Sequence, residues 1–313
     1  MLPMIMRRLP QWRIAPLVLV ILVLQVGCQR QTLSPTRTPS FDQEHAYTLL
    51  KDLCSIGPRN HGSESKLKAE KWIQDQLREA GAEVSVHELT YQGKESQSSE
   101  TFRNIIGRIR PSESRRVMVG THYDTRAWAD RDPRMELRST PIIGANDGAS
   151  GVAVMLEMAK AWKTDPPPVG VDLIFFDGEE FGRKNDVEDH LVGSNAWVRD
   201  HPEYKPEWGV VLDMVGDASL RIPQERVSAA RACRAVKRIW QAAGRVGSTE
   251  FADGFYPHIW DDNLAFIDRG IPVALIIDPQ YRWFHTTEDL PDKCSAQSLG
   301  QVGRAVMEAI YGD

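Results

Sequence analysis

From residue 41 onward the chain alternates between two hydrophobic periods. Segments 41–53 and 64–80 repeat apolar positions at the helical spacing, and the second adds Lys and Glu four residues apart. Segments 82–89 and 103–109 read as strands, and 116–120 is a short apolar strand running into Thr121-His122-Tyr123-Asp124. Segment 148–162 is helical again. The run VDLIFF at 171–176 has the length and composition of a strand buried on both faces, and 209–215 and 271–277 look the same. Strands alternating with helices, several of them apolar throughout, predict an α/β fold whose sheet is covered on both sides. With no internal repeat and no low-complexity interior segment, residues 41–313 are expected to form one catalytic domain.

The first residues follow a different pattern. Arg7, Arg8 and Arg13 precede an apolar run at 17–24, which gives way to Gln25, Val26, Gly27 and Cys28. A basic flank, a short apolar stretch and a small residue at the break describe a secretory signal peptide. The unbroken run is well short of the ~20 residues that span a bilayer as a helix. Cys28 directly after Gly27 resembles the lipobox of bacterial lipoproteins, with Gln25 at a position usually taken by Leu. Segment 1–28 is therefore expected to export the protein to the periplasm or cell envelope, with Cys28 as a candidate lipid anchor to the membrane. Segment 29–40, polar with two prolines, is expected to be a linker.

Composition narrows the function classes. With 42% hydrophobic and 26% charged residues in 313, a large core can form and wholesale disorder is excluded. The net charge is −5, and removal of 1–28 takes three arginines and no acids, leaving −8. Nothing basic invites nucleic acid. The four cysteines form no C-x-x-C pair, which excludes a disulfide scaffold, thiolate zinc fingers and thioredoxin-like chemistry. Cys54, Cys233 and Cys294 would allow one disulfide and a free thiol, in a pairing the sequence leaves open.

Polar residues suited to chemistry follow the apolar strands, where open α/β sheets place their ligand crevice. His122 lies in GTHYDT, Asp147 in GANDGASG, Glu179 and Glu180 in FFDGEEFG, Asp213 in VVLDMVGD and His285 in WFHTTED. Two imidazoles and several carboxylates are the mixed nitrogen and oxygen set that zinc accepts. Asp124, two residues beyond His122, is placed to orient that imidazole. Adjacent carboxylates on a turn point differently, so one of Glu179 and Glu180 can bind metal while the other stays free as a base. His45, His61, His87, His190 and His201 show no partner pattern and read as surface or satisfied polar residues. His258 reads as a loop hydrogen-bonder.

The order HYD, ANDGASG, DGEE, LDM and WFHTTED resembles the zinc aminopeptidase superfamily called M28, over nearly the whole chain after residue 40. The resemblance implies a single α/β domain with a central mixed, mostly parallel sheet flanked by helices, the phosphorylase/hydrolase-like arrangement. It implies Asp147, Glu180 and His285 as ligands of the main zinc and Glu179 as base. His122 and Asp213 match the positions that hold a second metal in two-zinc peptidases.

That superfamily runs two chemistries, aminopeptidase hydrolysis and glutaminyl cyclisation, and three features lean towards the second. HYDTRAWADRDP followed by PIIGANDGASG is similar to bacterial cyclases. A long polar insertion, 181–192, separates Glu180 from Gly193-Ser194. Ile259-Trp260-Asp261-Asp262 resembles the cyclase segment with paired aspartates, in which Asp261 corresponds to a carboxylate that hydrogen-bonds the catalytic glutamate. Asp213 would then join that network instead of holding metal. Departures are Asn263 where His is usual, Asn185 near a position that is Trp in animal cyclases, and Phe284 rather than Trp before the ligand His. Ile259, Trp283 and Phe284 are expected to wall the substrate pocket, while Trp128 and Trp260 could be wall or packing. The expectation is a zinc-dependent acyltransferase acting on peptide and protein N-termini. It would use one zinc to turn N-terminal Gln into pyroglutamate; the alternative is an M28 aminopeptidase with two zinc ions. Oligomeric state is left open.

Overall fold

Asp42 and Ser63 start the first two helices, each accepting the amide three residues on (3.0 and 3.1 Å) and so capping α1 (Gln43–Ser55) and α2 (Glu64–Glu79). These and all later elements come from a computed structural model that describes residues 38–93, 99–183 and 189–312. The expected export signal 1–28 with Cys28, most of the linker 29–40, and Asn185 lie outside the described residues. Beyond α2 come β1 (Glu83–Gln92), β2 (Ser99–Ile109), β3 (Arg116–His122), α3 (Ala149–Trp162), β4 (Gly170–Phe176) and α4 (Val192–Asp200). There follow β5 (Gly209–Asp213), β6 (Ile222–Glu225), α5 (Arg226–Arg231), α6 (Cys233–Val246), β7 (Phe251–Tyr256), α7 (Asn263–Asp268), β8 (Val273–Ile277) and α8 (Ala296–Tyr311).

Six strands form one sheet in the order β1-β2-β4-β3-β5-β8. The β1–β2 and β2–β4 pairs are antiparallel, and β4–β3, β3–β5 and β5–β8 are parallel, so the sheet is mixed and mostly parallel, as expected. Strand periodicity divides the core in two. Val117, Val119, Leu173, Phe175, Val210 and Ile276 face a layer that contains α1, α2, α3, α6 and α8. Met118, Ile174, Phe176, Val211 and Leu275 face α4 and α7 through Trp197, Val198 and Phe266. Every residue of β4 is buried, which accounts for its apolar run; the exception in sequence, Asp172, pairs with Arg116 at 2.6 Å.

Some boundaries differ from the pattern. β3 continues to His122, and β5 stops at Asp213 because Met214 turns into the left-handed region (φ 46°). The small β6–β7 sheet and the helices α4 to α8 go unassigned in the pattern above, although α6 repeats buried residues at Ala235, Val236, Ile239 and Ala242. Cys54 and Cys294 are buried, Cys233 is exposed at the start of α6, and all three are free thiols. No helix among the described residues is long and apolar enough to cross a membrane.

Candidate metal centre and active site

Parallel strands deliver their carboxyl ends to one edge of the sheet, and the candidate residues collect there. His122 is the last residue of β3 and Asp213 the last of β5, while β4 runs directly into Asp177-Gly178-Glu179-Glu180. Asp147 arrives differently, on the turn that starts α3. A side chain at Gly148 (φ 95°) would stand 2.9 Å from the Asp124 carbonyl and 3.2 Å from the His122 ring. At Gly151 it would meet Thr121 Oγ1 at 2.1 Å. The glycines of ANDGASG thus let α3 press against β3, bringing Asp147 beside His122. His285 lies beyond β8 on a turn and itself adopts φ 55°, an uncommon conformation for a residue with a side chain.

Asp147, Glu180 and His285 are all buried and offer ligand atoms within 4.8 Å of one another. His285 Nε2 stands 2.8 Å from Glu180 Oε1 and 3.6 Å from Asp147 Oδ2. Asp147 Oδ2 is buried and has no hydrogen-bond partner, an arrangement that wants a cation. A second group joins the first through Asp147: His122 Nε2 lies 3.1 Å from Asp213 Oδ1 and 3.3 Å from Asp147 Oδ1. Asp124 sits 3.6 Å from His122 Nδ1, beyond hydrogen-bond reach, and instead accepts the Glu180 amide at 3.0 Å.

Three supporting residues escaped the sequence reading. Arg126 donates to Glu180 Oε2 (2.8 Å) and to Asp130 (2.9 Å), and Asp130 lies 3.2 Å from His285 Nδ1. The ring is thereby turned so that Nε2 faces Glu180 and Asp147. Asp289 accepts the amides of Asn146 (2.8 Å) and Asp147 (3.2 Å) and the Tyr281 hydroxyl (2.7 Å). All three stand inside quoted motifs, and their only signal was being polar there.

A cavity of about 360 Å³ opens over these groups, with Glu179, Asp213 and Asp261 on its wall beside the ligand trio. Ile259 and Phe284 line it; Trp283 does not, because successive residues of the turn point apart, and its ring lies against the Arg282 and Lys293 side chains at 4.9 and 5.3 Å. Trp260 and His258 stand at the rim. Trp128 is not among the lining residues and packs under Arg183. His190, expected to be a surface or satisfied polar residue, lines the cavity and makes a 2.9 Å contact through Nδ1 with the Glu179 carbonyl.

Burial dominates the electrostatics. It raises Asp147 to about 7 and lifts Glu179 and Asp261 well above the carboxylate range, with Glu180 and Asp213 respectively adding like-charge repulsion. Burial would raise Glu180 too, but His285 and Arg126 outweigh it and hold that carboxyl well below its usual value. Burial disfavours protonated His285, yet Glu180 and Asp130 push it up to about 9; Asp124, Asp147 and Asp213 likewise raise His122. Carboxylates here outnumber the groups that neutralise them, and a divalent cation would supply the missing positive charge.

The sequence model for peptidase family M28 matches residues 104–310. The chain belongs to peptidase family M28. Among solved M28-like structures, Bacteroides thetaiotaomicron glutaminyl cyclase bound to N-acetylhistamine is 32% identical with a TM-score of 0.85, over 88% of this chain and 100% of that one. A leucine aminopeptidase precursor from the same organism is 32% identical with a TM-score of 0.86, over 89% and 99%. The glutaminyl-peptide cyclotransferase of Bos taurus is 26% identical over 90% of this chain and 84% of its own length. Zinc is the ion to which this family and this donor set point.

Proposed function

We propose that this chain is a glutaminyl-peptide cyclotransferase, an acyltransferase that converts the N-terminal glutamine of peptides and proteins into pyroglutamate and releases ammonia. Asp261 carries the reading: a buried carboxylate on the same cavity wall as Glu179 and Asp213, with burial favouring the protonated form of both Asp261 and Glu179. The glutaminyl cyclase relatives support it across most of their length.

Asp147, Glu180 and His285 would hold one zinc ion. Bound there, zinc would polarise the side-chain carbonyl of the substrate glutamine and stabilise negative charge on its oxygen. Glu179 takes a proton from the α-amine as its nitrogen bonds to the carbonyl carbon of the side-chain amide, and gives that proton to the amide nitrogen as the carbon–nitrogen bond breaks. A carboxyl raised by burial suits both halves of that exchange. Asp261 adds like-charge repulsion that raises Glu179 further. Ile259 and Phe284 fold the side chain back onto its own amine and exclude the water that would hydrolyse it. The catalytic domain spans 41–313, and residues 1–28 export it, with Cys28 as lipid anchor.

A second reading, an aminopeptidase with two zinc ions, is favoured by the His122, Asp147 and Asp213 group. Gln-peptide and Leu-peptide substrates separate the two when metal content is measured alongside. Ammonia from the former with one zinc per chain is the expected result. Free leucine from the latter with two zinc ions per chain would replace the cyclase by the peptidase.

A further inference from the structure

Asn104 stands where a polar residue is least expected. It lies within β2 between Phe102 and Ile106, on the face that α4 covers, and is fully buried, although strands disfavour asparagine and a core disfavours an amide. Its carboxamide has three partners. Oδ1 accepts the Asp177 amide at 3.1 Å, and Nδ2 donates to the Gly193 carbonyl at 2.9 Å. Those two bonds fix which end of the amide is which. Nδ2 therefore also donates to His87 Nδ1 at 3.1 Å, and that ring keeps its hydrogen on Nε2, 3.1 Å from an Asp200 carboxylate oxygen. Asp177 and Gly193 in turn begin a short backbone ladder. Gly193 N–H donates to the Asp177 carbonyl (2.9 Å), Val192 to Gly178 (3.1 Å) and Leu191 to Glu179 (3.4 Å). A side chain at Gly193 would stand 2.3 Å from Asn104 Oδ1 and 2.4 Å from the Asp177 carbonyl oxygen, so glycine permits the close approach.

We propose that Asn104 is a positioning residue for the reaction: by tying Asp177 to Gly193 it sets where β4 releases Glu179 and Glu180 into the cavity. The inference rests on Glu179 being the base, as in the proposed function. A base must stand within hydrogen-bond reach of the proton it moves, and a misplacement of about 1 Å costs about 10² in rate. Asn104 acts through the backbone of the turn and not on the substrate. Lys66 holds the same Asp177 by its side chain, at 2.7 Å. Loss of the amide therefore leaves the turn attached but free to shift. Both bonds run between buried groups, and neither the Asp177 N–H nor the Gly193 carbonyl finds a substitute partner in a smaller side chain.

The test compares Asn104→Ala and Asn104→Asp with the wild type, all metal-loaded, by kcat and KM for ammonia release from a Gln-peptide, zinc per chain and folded fraction by circular dichroism. Asn104→Ala should lower kcat per folded chain by about 10²-fold while KM stays within about twofold and zinc stays at the wild-type level. Asn104→Asp has the same shape and keeps the acceptor for Asp177 but not the donor for Gly193. Its kcat should fall between the other two, and it decides the matter if Asn104→Ala does not fold. A kcat within about twofold of wild type in the folded variant makes the amide merely structural and overturns the proposal. Loss of zinc from both variants overturns it too, since the amide would then hold the metal site together rather than place the base. If the wild type releases leucine from a Leu-peptide and no ammonia, the cyclase reading falls, and the same comparison on leucine release still decides the positioning role. A wild type that turns over neither substrate overturns both.

Discussion

Two buried clusters of charge flank the turn from Asp177 to Glu180, and they are finished to different degrees. On one side Lys66 Nζ reaches Asp177 at 2.7 Å and Glu70 at 3.1 Å, Tyr123 donates to Glu70 at 3.1 Å, and Arg103 gives its amide to Asp177 at 2.8 Å. Lysine and arginine there meet two carboxylates. On the other side Asp147, Glu179, Glu180, Asp213 and Asp261 meet two imidazoles and Arg126, and a buried oxygen of Asp147 finds no donor. The first cluster sets its own cations against both carboxylates and so fixes the turn, although Asp177 Oδ1 is likewise buried without a hydrogen-bond partner. The second holds more carboxylates than its imidazoles and Arg126 neutralise, the imbalance expected of a site built to take a cation.

Substitutions that reach into each cluster test that contrast. Asp147→Ala should have the largest effect, with bound zinc lost by elemental analysis and turnover lost with it. Glu179→Gln should keep zinc while lowering kcat by about 10²- to 10⁴-fold, the usual contribution of a positioned base. Near-normal rates in that variant would remove Glu179 from the proton-transfer role. Lys66→Met removes the buried lysine of the first cluster and should cost about 3–5 kcal/mol of stability in denaturant titration, because Asp177 and Glu70 stay buried without it. A midpoint unchanged from wild type would show that cluster to be dispensable. The smallest effect concerns burial without charge compensation. Cys54 is pushed up to about 12 by desolvation, and Cys294 is raised well above the usual thiol value by the same cause. A raised value keeps the thiol protonated at pH 8, so a thiol reagent should modify Cys233 rapidly and reach the other two only on unfolding. Fast reaction of all three in native protein would contradict the burial.

Strands left strong marks in the sequence, because burial on both faces demands apolar residues at consecutive positions, as in β4. His122 and Asp213 were legible as polar residues at the ends of such runs. Assigning Asp147, Glu180 and His285 as one ligand set needed the order of family motifs, since no local period records that a helix start, a strand end and a distant turn converge. Orienting partners are fainter still. Arg126, Asp130 and Asp289 are polar residues whose roles depend on loop paths. That His190 lines the cavity left no mark for a related reason: it precedes Leu191, whose left-handed backbone (φ 57°) redirects the chain as α4 begins, and no alternation of hydrophobicity encodes such a turn. Trp283 and Phe284 show the same blindness between neighbours, one walling the cavity and the other not.

Asp289 grips the backbone at Asn146 and Asp147 while sitting four residues past His285, so one side chain clasps together the mountings of two of the proposed zinc ligands. Opening that clasp would withdraw both at once. Escape of the ion should accordingly behave as a single rare event rather than a stepwise peeling, and its residence time would measure how often the clasp breathes.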